Sequence, residues 1–349
     1  MLNYQQAKLY KYDMSTRTKS PKLTKTHVLG QQQTDRYAIY NGDSVELIKS
    51  IPDRSVGLSV FSPPFSSLYT YSASDRDMGN CNGDDEFATH FDFLVKDLFR
   101  IMQSGRIVAI HCMNLPTSKV NDGYIGIKDF RGDLIRLFQS HGFIHHSEVV
   151  IWKDPVIQMQ RTKALGLLHK QVVKDSAMSR QGIPDTLVMM RKPGLNDEPI
   201  SGEFELDDFA GEGKPSPCGD ATRDSINIWQ RYASPVWMDI NPSNTLQYLA
   251  GRHKDDNRHI CPLQLDVIQR AIDLWSNPDD IVFTPFMGIG SEVYQALKMG
   301  RRAVGFELKP SYYDLAKRNI GEVADQLNNS ETPLLDLLNS GLNDLGVSA

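Results

Sequence analysis

Apolar positions along the middle of the chain follow two alternating patterns. Short apolar runs bounded by turn residues are typical of buried strands, whereas apolar positions three or four residues apart are typical of one helix face. The patterns predict strands at 37–40, 56–61, 106–111, 145–152, 281–283 and 302–306, and helices at 44–50, 87–103, 130–140, 261–275, 292–299 and 312–321. This alternation favours an α/β fold built on a mostly parallel sheet.

Two stretches interrupt the alternation. Residues 66–83 predict a loop that is too long for a simple connection and is typical of a mobile lid. Residues 153–258 start with an excess of Lys and Arg, continue through an acidic stretch at 198–212, and end rich in Trp, Tyr, Pro and Asn.

The expected organisation has five segments. They are a flexible basic arm, a first α/β half, an insertion, a second α/β half and a tail, at 1–34, 35–155, 156–258, 259–322 and 323–349. The basic arm is interpreted either as loosely packed chain or as a segment that contacts phosphates.

Composition places the chain among ordinary globular proteins. Of its 349 residues, 40% are hydrophobic and 23% are charged, and the net charge is −5. No global positive field attracts nucleic acid, so any contact with DNA has to come from local basic patches. No apolar run reaches the roughly 20 residues of a membrane span, and no signal peptide pattern opens the chain. We therefore expect a soluble, cytoplasmic protein.

The cysteines and histidines do not indicate a metal centre. The four cysteines are scattered without a Cys-x-x-Cys pair, which is typical of free thiols in a reducing compartment. His253, His259 and Cys261 lie close together in sequence but lack a fourth ligand, so no metal is expected. Four other histidines lie at the predicted ends of strands and helices and are interpreted as structural: His111, His141, His145 and His146.

A glycine turn connects the last two predicted strands. The loop reads Thr284-Pro285-Phe286-Met287-Gly288-Ile289-Gly290-Ser291, and the following strand ends at Glu307. Glycine has no Cβ, so the backbone can turn sharply and approach a ligand closely. A strand, glycine turn, helix, strand and acid in this order are typical of nucleotide-binding sheets, in which the acid holds ribose hydroxyls. A purely structural glycine turn remains the alternative.

A second motif follows the strand at 56–61 and reads Ser62-Pro63-Pro64-Phe65. Together with the glycine loop, it resembles the DNA amino-methyltransferases, whose catalytic tetrad has a small polar residue, two prolines and an aromatic. Their cofactor loop usually reads Asp-Pro-Phe-x-Gly-x-Gly. The tetrad precedes the loop here, as in the permuted β group of that family, and the overall sequence resembles phage and prophage members.

The resemblance covers most of residues 37–321 and implies a Rossmann-like methyltransferase fold. The expected sheet is circularly permuted, mostly parallel and seven-stranded, with helices on both faces and a recognition insertion. The implied cofactor is S-adenosylmethionine. Its implied binding residues are Asp43, His259, Pro262, Thr284, Pro285, Phe286, Gly288, Gly290, Ser291 and Glu307.

Three of these assignments carry reservations from the residues themselves. The segment from His259 to Leu263 resembles the family's His-Pro-x-Pro-Leu entry to the cofactor loop. Asp43 is equally well interpreted as a helix N-cap. Thr284 stands where the family has an acid, and a hydroxyl cannot compensate the charge of the methionine ammonium. Asp43 is therefore a hypothetical replacement for that acid.

The tetrad suits attack by an exocyclic amine, which is a poor nucleophile because its lone pair is delocalised into the base. Ser62 Oγ and the Pro63 carbonyl are expected to accept hydrogen bonds from the amine and to stabilise its developing positive charge. Pro63 and Pro64 stiffen the turn. Phe65 offers a face on which a flipped-out base can stack.

Basic residues of the insertion are the candidate DNA contacts. They are Lys153, Arg161, Lys163, Lys170, Lys174 and Arg180. A phosphate-tracking surface carries such an excess of positive charge, and so does a solvated helix face.

The resemblance therefore predicts methylation of double-stranded DNA by a monomer or homodimer. N6 of adenine is favoured as the target, because adenine enzymes form the larger part of the group. N4 of cytosine is the alternative, since serine in the first tetrad position is typical of cytosine enzymes. Methylation of RNA or of a protein amide, and an inactive DNA-binding homologue, are the further alternatives.

Overall fold

The computed structural model describes residues 28–65, 78, 81, 84–117, 119, 122–200, 228–247 and 262–331, without the side chains of 84, 85, 165 and 325–331. Residues 1–27 of the predicted arm, almost all of the predicted lid, His259 and the tail after residue 331 lie outside this description, as does most of the acidic stretch.

The described chain alternates strands and helices as the hydrophobic pattern predicts. The strands are β1 (Gly30–Gln33), β2 (Tyr37–Asn41), β3 (Val56–Phe61), β4 (Met102–Cys112), β5 (Leu115–Pro116), β6 (Ile127–Lys128), β7 (Ile144–Ile151), β8 (Asp185–Arg191), β9 (Val236–Trp237), β10 (Ile281–Thr284) and β11 (Arg302–Glu307). The helices are α1 (Ser44–Leu47), α2 (Asp84–Ile101), α3 (Phe130–Ser140), α4 (Pro155–Thr162), α5 (His169–Lys174), α6 (Leu265–Trp275), α7 (Ser291–Lys298) and α8 (Pro310–Glu331).

One large sheet organises the molecule, in the order β1-β2-β11-β10-β3-β4-β8-β7-β9. The five strands from β2 to β4 run parallel, whereas β8 is antiparallel to both of its neighbours. The neighbours β3 and β10 come from distant parts of the chain, as expected for a permuted fold.

Seven strands, the number that the resemblance implies, form the middle of this sheet, and one short strand extends it at each edge. β1 reads Gly-Gln-Gln-Gln and pairs antiparallel with β2, while β9 has only two residues and pairs with β7. Neither strand has an apolar pattern long enough to be recognised from sequence. The predicted arm therefore does not continue to residue 34, because its last residues form β1.

The predicted insertion also contributes to the sheet. β8 lies within the range 156–258 but pairs with β4 and β7 along its whole length. A strand buried on both faces needs an uninterrupted apolar run. The basic stretch before this strand and its charged ends hide that run, so the boundary at residue 156 does not separate the insertion from the sheet.

Two hydrophobic clusters cover the two faces of the sheet. One packs β3, β4 and β8 against α6, α7 and α8, and the other packs the opposite face against α1, α2 and α3. Every residue of β3 is buried as a result. The strands that carry the two sequence motifs are thereby held rigidly from both sides. No helix in the described part of the chain is both long and apolar enough to span a membrane.

Candidate active site

The two sequence motifs meet at one edge of the sheet. β3 and β10 are parallel neighbours, with Val282 opposite Leu58 and Phe283 opposite Ser59. The tetrad follows β3 and the glycine loop follows β10, so both leave the sheet at the carboxyl ends of adjacent strands. Ligands in open α/β sheets bind at this position.

A cavity of about 750 Å³ lies between the motifs. Its lining includes most of the residues predicted for the site: Ser62, Pro63, Pro64, Phe65, Asp43, Pro262, Pro285, Phe286, Gly288, Ser291 and Glu307. Thr284 and Gly290 lie behind this lining, Thr284 buried at the end of β10 and Gly290 at the start of α7. The predicted catalytic and cofactor residues therefore share one cavity.

The glycine loop depends on left-handed backbone at two positions. Gly288 has φ +55° and Gly290 has φ +91°, conformations that side chains with a Cβ rarely adopt. A Cβ on Gly288 would meet no atom within 4 Å, whereas one on Gly290 would lie 3.1 Å from Ile320. Gly288 thus leaves space beside the cavity, and Gly290 allows α8 to pack closely against the loop.

Glu307 is fixed by backbone amides at the end of β11. Its Oε2 accepts a hydrogen bond of 2.8 Å from Gly288 N–H, and its Oε1 accepts one of 2.8 Å from Lys309 N–H. These bonds connect the acid directly to the glycine loop. The carboxylate therefore faces the cavity in one orientation.

Asp43 performs the capping role that was one of its two interpretations. Its side chain accepts a hydrogen bond of 2.9 Å from Val45 N–H at the start of α1. The adjacent Ser44 Oγ donates to the Pro285 carbonyl at 2.5 Å and so connects α1 to the cofactor loop. Asp43 also lines the cavity.

Buried polar groups surround the start of α7. Thr284 Oγ1 and Ser291 Oγ are almost completely buried and have no hydrogen-bond partner among the described residues. A buried hydroxyl without a partner costs about 1–3 kcal/mol. Ser291 lines the cavity, whereas Thr284 lies behind that lining.

Glu292 is a cavity-lining acid that sequence reasoning missed. It lies in the first turn of α7 and is 4% exposed. Burial, together with the negative charge of Glu307, raises the pKa of Glu292 from 4.5 to about 8. No local pattern indicates this burial, because an acid in the first turn is ordinary for a surface helix.

A chain of polar contacts lies behind Ser62. Ser62 Oγ is 2.9 Å from His111 Nδ1, His111 Nε2 is 3.3 Å from Asp185 Oδ2, and Asp185 Oδ1 is 2.5 Å from Lys153 Nζ. The His111–Asp185 pair is within ion-pair distance, although its angles fall short of a hydrogen bond. All four side chains line the cavity.

Two residues of this chain were interpreted differently from the sequence. His111, interpreted as structural, contacts the tetrad serine, and Lys153, predicted to contact DNA, pairs with Asp185 at the cavity wall. Burial by itself raises the pKa of Asp185, but its contacts with the His111 ring and the Lys153 ammonium outweigh it. The net pKa of Asp185 is below its ordinary value, so this carboxylate is ionised.

The aromatic residues of the motifs are anchored in the core. Phe65 packs against Phe130, with ring centroids 6.1 Å apart. Phe286 stacks on Phe91 at 6.1 Å and meets the edge of Phe61 at 5.8 Å. Phe286 therefore joins the cofactor loop to the strand that leads into the tetrad.

The other predicted DNA contacts are spread along the α4–α5 region. Arg161 is exposed and lines the cavity, and Lys163, Lys170 and Lys174 are exposed. Arg180 is half-buried, and burial lowers the pKa of its guanidinium, which donates to the Gln181 carbonyl. The structure thus brings Arg161 to the cavity and leaves the lysines on the surrounding surface. Within the described ranges, no three His, Cys, Asp or Glu residues are grouped in a way that holds a metal ion.

Comparison with known proteins decides the family. The model of the N6/N4 methyltransferase family, described as DNA methylase, matches residues 56–318. This chain belongs to the N6/N4 DNA methylase family. The match spans both motifs and the sheet between them.

Curated relatives of this methylase include two Type II methyltransferases from species of Bacillus. Type II methyltransferase M.BglII of Bacillus subtilis is 24% identical over 293 residues, which cover 83% of this chain and 71% of the relative. Type II methyltransferase M.BamHI of Bacillus amyloliquefaciens is 26% identical over 279 residues, which cover 79% of this chain and 55% of the relative.

Solved structures confirm the fold of the methylase. A DNA modification methylase from Thermus thermophilus, TTHA0409, complexed with S-adenosyl-L-methionine, matches with a TM-score of 0.56 and 20% identity over 82% of this chain and 95% of that chain. The cytosine-N4-specific PvuII DNA methyltransferase matches with a TM-score of 0.54 and 18% identity over 85% and 93%. The predicted family and the α/β methyltransferase fold are therefore both confirmed.

Proposed function

We propose that this DNA methylase transfers the methyl group of S-adenosylmethionine to an exocyclic amine of a base that has been flipped out of duplex DNA. The observation that carries the proposal is the shared cavity, in which Ser62 and Gly288 stand on neighbouring strand ends. Donor and acceptor can therefore be held together at one place.

The residues around the glycine loop fit the cofactor. Glu307 has the fixed orientation needed to accept from ribose hydroxyls, and Thr284 and Ser291 offer hydroxyls that lack partners among the described residues. The N-terminus of α7 favours a carboxylate such as that of the methionine moiety. S-adenosylmethionine supplies an already activated methyl group on a sulfonium, so no metal is needed.

Glu292 is our candidate for the acid that Thr284 does not provide. It follows Ser291 in the first turn of α7 and lines the same cavity, whereas Asp43 is already occupied in capping α1. A positive charge beside Glu292 favours its ionised form and so offsets the cost of its burial. The ammonium of the cofactor carries such a charge.

The tetrad holds the acceptor. Ser62 Oγ and the Pro63 carbonyl accept hydrogen bonds from the amine, which directs the nitrogen lone pair toward the methyl group. Both bonds strengthen as positive charge develops on the nitrogen, so they lower the barrier and not merely the binding energy. Phe65, held by Phe130, offers its ring to the base.

DNA is proposed to lie across the exposed α4–α5 surface. A base inside a duplex cannot enter a cavity at the strand ends, so it has to leave the stack. Arg161 at the cavity and the exposed Lys170 and Lys174 support this placement, because phosphate contacts dominate DNA affinity. Access to cellular DNA places the enzyme in the cytoplasm of a bacterium or of a phage-infected host.

The favoured target is N6 of adenine, with N4 of cytosine as the second candidate. Serine at position 62 supports cytosine, while Phe65 departs from the aromatic usual in cytosine enzymes. The PvuII enzyme, which shares the fold, is cytosine-N4-specific.

Mass spectrometry of nucleosides, with long-read sequencing of DNA from cells that express the protein, tests the function and identifies the base. We expect N6-methyladenine in the wild type and its loss, by about 10²–10³-fold in rate, in Ser62→Ala. Ser140→Ala, at the exposed end of α3, is the matched control and should methylate normally.

Two results would refute the proposal in different ways. Equal methylation by Ser62→Ala and wild type would remove the tetrad from the chemistry. Transfer of tritiated methyl groups to RNA or protein, but not to DNA, would replace the substrate.

A further inference from the structure

Ser62 is connected to a buried imidazole and a buried carboxylate that lie on two other strands. His111 belongs to β4 and Asp185 begins β8, and both residues are more than nine-tenths buried. Their contacts with Ser62 and Lys153 form one continuous line at the cavity wall.

The carboxylate determines which imidazole nitrogen carries hydrogen. Asp185 is ionised and can only accept, and Oδ2 faces His111 Nε2 at 3.3 Å. An imidazole that carries one hydrogen therefore places it on Nε2 and leaves a lone pair on Nδ1. Ser62 Oγ, at 2.9 Å from Nδ1, is then the donor, whereas hydrogen on both ring nitrogens would make Ser62 the acceptor.

A hydroxyl has one hydrogen and two lone pairs. Once its hydrogen is directed to His111, Ser62 can only accept hydrogen bonds from a group in the cavity. An exocyclic amine offers N–H groups, whereas a ring nitrogen or carbonyl oxygen of a base needs a donor. The orientation of one hydroxyl thus selects the chemical character of the group that it meets.

We propose that His111 and Asp185 are positioning residues that fix the Ser62 hydroxyl as a hydrogen-bond acceptor for the target amine, and that Lys153 fixes the orientation of Asp185. The inference rests on the proposed role of Ser62. None of the three residues needs to touch the base.

Because Lys153 fixes the orientation of the side chain at position 185, replacing Asp185 by its amide tests the inference. Its ammonium lies 2.5 Å from Asp185 Oδ1. In Asp185→Asn the ammonium retains the amide oxygen, so the NH₂ group faces His111 Nε2. Two donors cannot share that contact, and the imidazole hydrogen moves to Nδ1. Ser62 then accepts from His111 and presents its own hydrogen to the cavity.

The decisive measurement compares single-turnover methylation rates of two variants at saturating cofactor and DNA. We expect the rate of Asp185→Asn to be about 10- to 100-fold below that of the wild type. It should also be below the rate of Asp185→Ala, because in the alanine variant no group at position 185 fixes the tautomer of His111. A merely structural role predicts the reverse order, because alanine leaves the larger defect.

A second substitution is expected to restore the methylation rate of Asp185→Asn. In Asp185→Asn combined with Lys153→Met, the amide can rotate and accept from Nε2, so much of the rate should return. Asp92→Asn is the matched control, because Asp92 contacts His141 Nε2 at 2.6 Å on a surface away from the cavity. It should leave the rate unchanged.

The tautomer has a readout that needs neither cofactor nor DNA. Nitrogen NMR of histidine-labelled protein should place the hydrogen of His111 on Nε2 in the wild type and on Nδ1 in Asp185→Asn. Hydrogen on Nδ1 in the wild type, or a rate for Asp185→Asn at or above that of Asp185→Ala, overturns the inference. Those results leave the proposed function standing. A fully active Ser62→Ala instead removes Ser62 from the chemistry, and a wild type that methylates no DNA removes the function itself.

Discussion

The two ends of the central strands treat their buried polar groups differently. At the amino ends, Arg106 is fully buried and its Nη1 donates to Asp280 Oδ2 at 2.9 Å. At the carboxyl ends, the hydroxyls of Thr284 and Ser291 have no partner in the described chain, and the carboxyl of Glu292 is buried beside them.

The difference lies in the pairing of charge. Arg106 has an ionic partner inside the fold, although its Nε and Nη2 lack hydrogen-bond partners among the described residues. Glu292 is buried without an ion pair among the described residues, so a cationic ligand can stabilise its ionised form. The rigid end lies about one strand length from the cavity, so changes at each end should be measurable separately.

The largest effect is expected at the amino ends. Asp280→Ala removes the buried partner of the Arg106 cation and leaves only the exposed Glu198, 4.0 Å away, so it should lower the free energy of unfolding by about 3–5 kcal/mol. Urea denaturation measures the loss. Where the variant is still folded, its methylation rate should equal that of the wild type.

The neighbouring acid supplies the control. Asp279 pairs with Arg36 on the surface, with side chains 68% and 51% exposed. Its φ is +60°, a conformation that asparagine tolerates better than alanine, so the control is Asp279→Asn, which should cost less than about 1 kcal/mol. An equal loss in the two variants would show that the buried pair has no special weight.

At the carboxyl ends, Glu292 should make stability depend on pH. Below pH 4.5 the carboxyl is protonated in both states. Between 4.5 and about 8 the unfolded chain loses this proton while the folded protein keeps it, so stability falls as pH rises. The slope is at most about 1.4 kcal/mol per pH unit, and Glu292→Gln should remove it. Denaturation at several pH values checks this, with the exposed Glu322→Gln as control.

Cofactor binding is expected to favour the ionised form of Glu292, whereas burial favours its protonated form. If Glu292 ionises beside the cofactor, S-adenosylmethionine binding near pH 7 releases a proton. Calorimetry in buffers of different ionisation enthalpy should detect that proton in the wild type and not in Glu292→Gln. Identical proton release in both proteins would assign the counter-charge to another group.

The sequence predicts the parts of this site that are continuous in the chain. The tetrad and the glycine loop each follow a short apolar strand, and the resemblance of the two motifs to one family predicts that they meet. Hydrophobic periodicity also predicts the strands of the middle sheet other than β8, together with the helices that cover its faces.

The contacts between distant strands could not be predicted in the same way. Periodicity identifies a strand but not its neighbours, so nothing local indicates that β8 lies between β4 and β7. His111, Lys153 and Asp185 come together only through that order. Glu292 escaped for a related reason, since its burial depends on the cavity and not on the helix that carries it.

The smallest predicted effect is a difference between alanine substitutions at two glycines, one at each end of the central strands. Gly290 (φ +91°) lies at the carboxyl ends and Gly300 (φ +73°) at the amino ends, just before β11. Alanine in left-handed backbone costs about 1–2 kcal/mol at either position. A Cβ at 300 meets nothing within 4 Å, whereas a Cβ at 290 lies 3.1 Å from Ile320 and 3.2 Å from Ala316, so Gly290→Ala has to displace α8 or the loop.

The two alanine variants should therefore differ in cofactor affinity more than in stability. Displacement of the loop moves Gly288, whose N–H orients Glu307, so Gly290→Ala should weaken S-adenosylmethionine binding while Gly300→Ala leaves it unchanged. Calorimetric titration of both variants, beside their urea midpoints, measures the two effects separately. Equal affinities of the two variants for S-adenosylmethionine would show that cofactor binding tolerates displacement of the glycine loop. The contrast between the two ends of the strands would then not apply to their backbone.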